Sequence, residues 1–268
     1  MSFYQSIAPY YNFIFPPNPS QADLVEKEAG MLTAKRILEA GCGTGNLARM
    51  LAGKGALVEG IDLDGEMIAG ARENSGDLYS LHFRQLDILK IDEVWSPDYF
   101  HGVVSFGNTL VHLPDLSSVH LFFEKARRLL IPGGRLMVQI VNYDRILDQQ
   151  IEGLPTIENE HIRFERYYDL IDNGAAINFR TVLTIKKTGY TIHNEVPLLP
   201  LRQRQVLQVL KQTGYSNVRF WGNFQGDAWQ ENSMALIFSA EALGYLLVFT
   251  CQNTHNFLID RESQIFGR

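Results

Sequence analysis

The chain has 268 residues, of which 46% are hydrophobic and 20% charged, so it reads as a packed globular protein rather than a disordered one. A formal net charge of −6 disfavours non-specific binding to a polyanion, and no nucleic-acid partner is expected. The two cysteines, Cys42 and Cys251, exclude a disulfide framework, and no cysteine or histidine spacing suggests a metal site.

The N-terminus carries no basic stretch followed by a long apolar run, so it does not read as a leader. Residues 3–17 are instead rich in aromatics, namely Phe3, Tyr4, Tyr10, Tyr11, Phe13 and Phe15, and are stopped by Pro16 and Pro17. This segment is expected to dock its aromatic face on the core, and residues 1–35 as a whole are expected to form an N-terminal helical lid segment. A helix is expected over 21–31. Strands and helices then alternate from Arg36 to Ile140, with helices predicted over 46–52, 66–73 and 117–130. Asp115 and Ser117 are cap candidates for the last of these, and Pro132-Gly133-Gly134 stops it. Residues 135–141 read as a buried strand. Such repetition implies a parallel sheet with right-handed crossovers.

After Asn142 the pattern changes to antiparallel. Strands are expected over 162–168, 177–187 and 190–196, the last two joined at Gly189. If 162–168 is a strand, Arg166 and Tyr168 share one face and Arg163 the other, so only one set can look into a cleft. Arg180 lies on the next strand. A helix is predicted over 201–213, and strands over 217–221 and 233–239 close the sheet as a hairpin. Residues 241–268 have no assignment: a packed appendage, a dimer contact and disorder all stay open. Their apolar run, 243–249, is too short to span a bilayer. A cytoplasmic protein without a membrane partner is expected.

The most informative segment is 37–48. An apolar run carrying Glu39 leads into Gly41, Gly43 and Gly45 and then into a helix start. Glycines permit positive φ and close ligand approach, and the following helix offers free N–H groups. The dinucleotide fingerprint would place its third glycine at position 46, where this chain has Asn46. Glu39 would repel a pyrophosphate and suit an ammonium group.

This segment resembles motif I of the class I S-adenosylmethionine-dependent methyltransferases. Three further runs match that family in order. In 58–64, Asp62 falls at the ribose-binding position. In 81–88, Asp87 falls where the family accepts from the adenine amino group. Residues 102–108 resemble the fourth strand, whose end faces the methyl donor. The resemblance therefore implies cofactor contacts at Glu39, Gly41, Cys42, Gly43, Asn46, Asp62, Leu63, Met67, Asp87, Ile88, Phe106 and Asn108. The N-terminal Tyr4, Ala8 and Tyr11 match the spacing of a family pattern, with Asn12 in place of its acid, and add a Tyr11 contact. Residues 107–113 resemble the Gly-Asn-Ser…His-Leu segment of glycine-type N-methyltransferases. Residues 142–144 resemble their Arg-Asn-Tyr-Asp, with Val141 where the arginine stands, which argues against an amino-acid acceptor. His112 is the general-base candidate, its alternative being a structural histidine. Tyr143 is a second catalytic candidate, its alternative being core packing.

The expected fold is α/β, a Rossmann-like doubly wound, mostly parallel sheet. The core spans 36–141 and 200–240, and 142–199 form an antiparallel insertion on the substrate side. The expected activity is methyl transfer from S-adenosylmethionine to a small molecule by in-line displacement, with no metal and a possible homodimer. A catalytically silent cofactor-binding protein and an NAD-type oxidoreductase are the alternatives.

Overall fold

A computed structural model describes residues 3–244 other than Asp77. Seven strands form the central sheet in the order β10-β11-β5-β4-β1-β2-β3. They are β1 (Arg36–Ala40), β2 (Leu57–Asp62), β3 (Leu81–Gln85), β4 (Phe100–Ser105), β5 (Leu130–Val141), β10 (Tyr215–Trp221) and β11 (Ala235–Ala242). β1 to β5 pair in parallel, while β11 runs antiparallel to both β5 and β10. This is the doubly wound sheet with a closing antiparallel pair that the sequence implies. Its order reverses between β1 and β4, and in open α/β sheets a ligand crevice opens at that switch point.

Neighbouring residues of the parallel strands go to opposite faces, which is why the strands read as unbroken apolar runs. Leu38, Val103 and Leu136 pack with Phe122 and Phe123 of α6 (Leu116–Leu129) and with Val206 and Leu210 of α8 (Gln203–Gln212). Their neighbours Ile37, Val104 and Met137 pack on the other face against α3 (Pro19–Ala29), α4 (Asn46–Gly53) and α5 (Gly65–Ser75). Asp115 caps α6 by accepting from the Ser118 amide at 2.8 Å.

The second sheet is antiparallel, in the order β6-β7-β8-β9. It comprises β6 (Gly153–Glu158), β7 (Ile162–Ile171), β8 (Ala176–Ile185) and β9 (Tyr190–Leu198). The short helices α1 (Phe3–Ile7) and α2 (Tyr11–Ile14) lie between this sheet and the core. Ile7 and Ile14 pack with Met67 of α5 and with Ile162, Phe164 and Leu183 of the insertion.

Local structure departs from the sequence reading in four places. β6 was not expected, because Gly153 and Pro155 read as loop residues. A short helix, α7 (Tyr143–Asp148), follows β5 directly, and its six residues are too few to show a periodicity. β5 begins at Leu130 and runs through Pro132-Gly133-Gly134, where the register to β4 shifts between Phe100 and Gly102. β11 continues through Ala242, paired to Tyr215, so the main sheet runs past the expected boundary at residue 240. Residues 245–268, which include Cys251 and most of the unassigned appendage, lie outside the described residues. Among the described residues, no helix is long and apolar enough to cross a membrane.

Candidate active site

The turn after β1 takes positive φ at Gly41, Gly43 and Gly45, with values of 80°, 52° and 78°. Space as well as φ requires glycine here. A Cβ on Gly41 would lie 2.3 Å from the Thr109 hydroxyl, and one on Gly45 would lie 2.6 Å from the Phe83 ring. The amides of Gly41 and Cys42 both donate to the Ile61 carbonyl at 2.8 Å, which ties the turn to the end of β2.

Asp62 closes β2 beside this turn. Its Oδ2 accepts from the Gly43 amide at 2.8 Å and its Oδ1 from the Asp64 amide at 3.0 Å. Two acids stand close together here, and the structure divides their work. Asp64 caps α5, accepting from the amides of Glu66 at 2.9 Å and Met67 at 3.3 Å. Asp62 is therefore not the helix cap, and its carboxylate faces a cavity. Burial raises its pKa, and the Asp64 and Gly43 amides oppose that shift.

Two cavities meet at the switch point. The first, about 410 Å³, is lined by Gly43, Asp62, Leu63, Met67, Asp87 and Ile88, among others. The second, about 320 Å³, is bounded on the sheet side by Glu39, Cys42, Asn46, Phe106 and Asn108. Its far wall comes from the insertion: Leu154, Phe164, Arg166, Tyr168 and Phe179. Tyr4, Tyr11, Gly41, Gly107 and His112 line both cavities and form the waist between them. Every residue expected from sequence to touch a cofactor lines one cavity or both.

Glu39 is buried at the floor of the second cavity, and its Oε2 has no hydrogen-bond partner. Burial pushes its carboxyl up to about 8, with the Ala48 amide pulling down and the nearby Asp62 charge pushing up. An acid held in this way is stabilised by an incoming cation. Asn46 lines the cavity, but its side-chain amide is committed to the lid, donating to Asn12 Oδ1 at 2.9 Å and to the Phe15 carbonyl at 3.2 Å. Asn12 Oδ1 also accepts from the Thr44 hydroxyl at 2.6 Å. Neutral Asn12 thus clasps the N-terminal segment to the glycine turn.

His112 sits at the waist with its Nε2 2.7 Å from the Tyr4 hydroxyl. Burial lowers its pKa to about 4, so the ring is neutral near pH 7. Tyr143 lies elsewhere. It is fully buried at the start of α7, outside both linings, where its hydroxyl accepts from Asn108 Nδ2 at 3.0 Å. Asn108 Oδ1 in turn accepts from the Val141 amide at 2.9 Å. Tyr143 therefore buttresses Asn108 and does not face an acceptor.

The insertion's charged residues divide as the strand period requires. Arg163 pairs with Glu158 and Glu165, each at 3.1 Å, and Arg180 pairs with Asp169. Arg166 and Tyr168 face the cavity. Sequence reasoning missed Phe164, Phe179 and Leu154, although the alternation that places Arg166 and Tyr168 on one face also places Phe164 there.

Residues 37–134 match the family described as methyltransferase domain. That stretch of the chain carries a methyltransferase domain. It is 28% identical to a ubiquinone biosynthesis O-methyltransferase of Acinetobacter baumannii over 127 residues, 47% of this chain and 52% of that protein. It is 33% identical to a protein named as a methyltransferase from Geobacillus sp. strain WCH70 over 143 residues, 51% and 57% of the two chains. The chain thus spans about half the length of the curated relatives it matches. Among solved structures, the CcbJ methyltransferase of Streptomyces caelestis superposes with a TM-score of 0.74 at 20% identity, covering 89% of this chain and 96% of that one. The SAM-bound CalS10 of Micromonospora echinaspora, an amino pentose methyltransferase, gives 0.65 at 18% identity, covering 90% and 98%. At these identities the likeness speaks to the fold.

The family implies S-adenosylmethionine, and the residues present fit it. Asp62 gives one cavity a recessed carboxylate, and Glu39 gives the other a buried acid with one oxygen unpartnered. A glycine turn leaves space between them.

Proposed function

We propose that this protein transfers a methyl group from S-adenosylmethionine to a small-molecule acceptor. The observation that carries this reading is the two-chambered cleft, with Asp62 in one chamber, the unpartnered Glu39 oxygen in the other, and a shared waist between them. S-adenosylmethionine, when bound, supplies a methyl group activated by a sulfonium. Asp62 would accept from the ribose hydroxyls and Asp87 from the adenine amino group, with Leu63, Met67 and Ile88 holding the base. Glu39 would take the ammonium group, and the turn at Gly41, Cys42 and Gly43 would hold the methionine half. Tyr4 and Tyr11 roof the waist.

Positioning does most of the chemical work. Holding an acceptor in line at the waist supplies about 7–11 kcal/mol of the barrier when the geometry is rigid. His112 is neutral and placed at the waist to take a proton from an acceptor. With a pKa of about 4 it is a weak base near pH 7, so its share is the smaller one. Asn46 stands where a dinucleotide turn needs its third glycine, which disfavours the oxidoreductase alternative.

Calorimetric titration with S-adenosylhomocysteine and with NAD tests the reading. The expected outcome is micromolar binding of the first and none of the second. Tighter NAD binding overturns it. A protein that binds S-adenosylmethionine but methylates nothing across a broad metabolite panel is a silent binder, and that result removes the catalytic half of the proposal.

A further inference from the structure

The acceptor chamber contains a cation that the fold does not neutralise. Arg166 Nη2 donates to the Pro155 carbonyl at 2.5 Å, while its Nε is buried without a partner. The guanidinium lies 5.9 Å from the centre of the Phe164 ring. Among the described residues it makes no ion pair. Elsewhere in the insertion and just beyond it the pattern differs: Arg163, Arg180 and Arg202 each pair with carboxylates. Burial disfavours its charged form, opposed by the neighbouring Tyr168. A half-buried guanidinium with a vacant N–H is costly unless an anion completes it.

We propose that the methyl acceptor is an anionic small molecule whose carboxylate or phosphate oxygens are taken by Arg166. This deepens the methyltransferase reading and rests on it. Leu154, Phe164 and Phe179 present apolar surface to the same chamber as Arg166, with Tyr168 beside them. The acceptor therefore has a compact apolar or aromatic body, its anion at the insertion wall and its reacting atom towards the waist. Val141 removes the cation that the end of β5 would carry in a glycine-type enzyme, and β7 supplies one from the opposite wall.

The test uses the full chain saturated with S-adenosylhomocysteine and titrated calorimetrically with benzoate, its neutral isostere benzamide, and inorganic phosphate. Benzoate is expected to bind at least tenfold more tightly than benzamide. Arg166→Gln should erase that preference and Arg166→Lys should retain part of it, both with unchanged S-adenosylhomocysteine affinity. Competition of phosphate with benzoate marks a phosphate-bearing acceptor, and its absence marks a carboxylate. The proposal is overturned if the loaded protein binds none of the anions, if benzoate and benzamide bind equally, or if Arg166→Gln keeps the preference. Failure to bind S-adenosylhomocysteine at all would instead overturn the methyltransferase reading, so the two failures are distinguishable.

Discussion

The glycine turn at 41–45 and strand β7 face the same cleft, yet they are built in opposite ways. The turn is local. Its three glycines, the acid before them and the acid ending the next strand lie within 39–62, and the backbone itself makes most of the surface. β7 contributes through alternating side chains, and its inward face is set by packing against α1, α2 and Met67. The first wall tolerates almost no added atom. The second presents rings and one uncompensated charge, so it can be retuned by substitution. Cofactor recognition should therefore be brittle and acceptor recognition adjustable.

The sharpest way to break this comparison is Gly43→Val. A β-branched residue at φ 52°, with its Cβ 3.1 Å from the Tyr11 ring, strains the turn and fills the cleft. S-adenosylhomocysteine affinity should fall by roughly a hundredfold or more while the thermal transition stays cooperative, a loss of about 2.8 kcal/mol in binding. Normal binding by this variant would show that the turn is not the cofactor wall.

Asp62→Ala comes next. Hydrogen bonds to a charged acceptor are worth about 1.5–3 kcal/mol, so binding should weaken roughly tenfold or more by calorimetry. An unchanged Kd would remove Asp62 from the site.

Glu39 sharpens the comparison through pH. Its carboxyl is raised to about 8 in the empty cleft, whereas a bound ammonium favours the ionised form. Affinity for S-adenosylhomocysteine should rise with pH towards about 8 and then level, by at most about tenfold per unit, with proton release on binding. Glu39→Gln should flatten the profile. The same raised pKa means that the empty fold gains most from this group below its ordinary value of 4.5 and loses that gain as pH climbs towards 8.

Asn12→Ala should have the smallest effect. It removes two neutral hydrogen bonds that hold the lid to Thr44 and Asn46. A combined loss of about 0.5–1.5 kcal/mol from the closed lid predicts roughly two- to tenfold weaker binding, seen chiefly as faster cofactor release in stopped flow.

Much of the core was legible because each signal is short-range. Strand, turn and helix follow one another within about a dozen residues around Gly41, and strand ends identify themselves by an acid after an apolar run. That Asp64 rather than Asp62 caps α5 was not legible, since both acids directly precede the helix. Only the backbone path assigns the cap to Asp64 and leaves Asp62 turned to the cavity. For Tyr143, sequence offered the acceptor face or the core, and the unforeseen helix α7 carries it into the core behind Asn108. In the insertion, parity fixed that Arg166 and Tyr168 share a face and that Arg163 does not. Parity does not say which face points inward.

The order of residues by itself determined the doubly wound sheet, the glycine turn and the carboxylates at its margins, because strand alternation and positive-φ glycines are properties of a few consecutive residues. Tertiary structure alone decided that an N-terminal lid, a turn in the core and a distant antiparallel strand enclose one cleft. It also decided that Arg166 would meet no carboxylate there. Contacts between segments more than a hundred residues apart depend on how apolar faces pack together, and no local pattern encodes that.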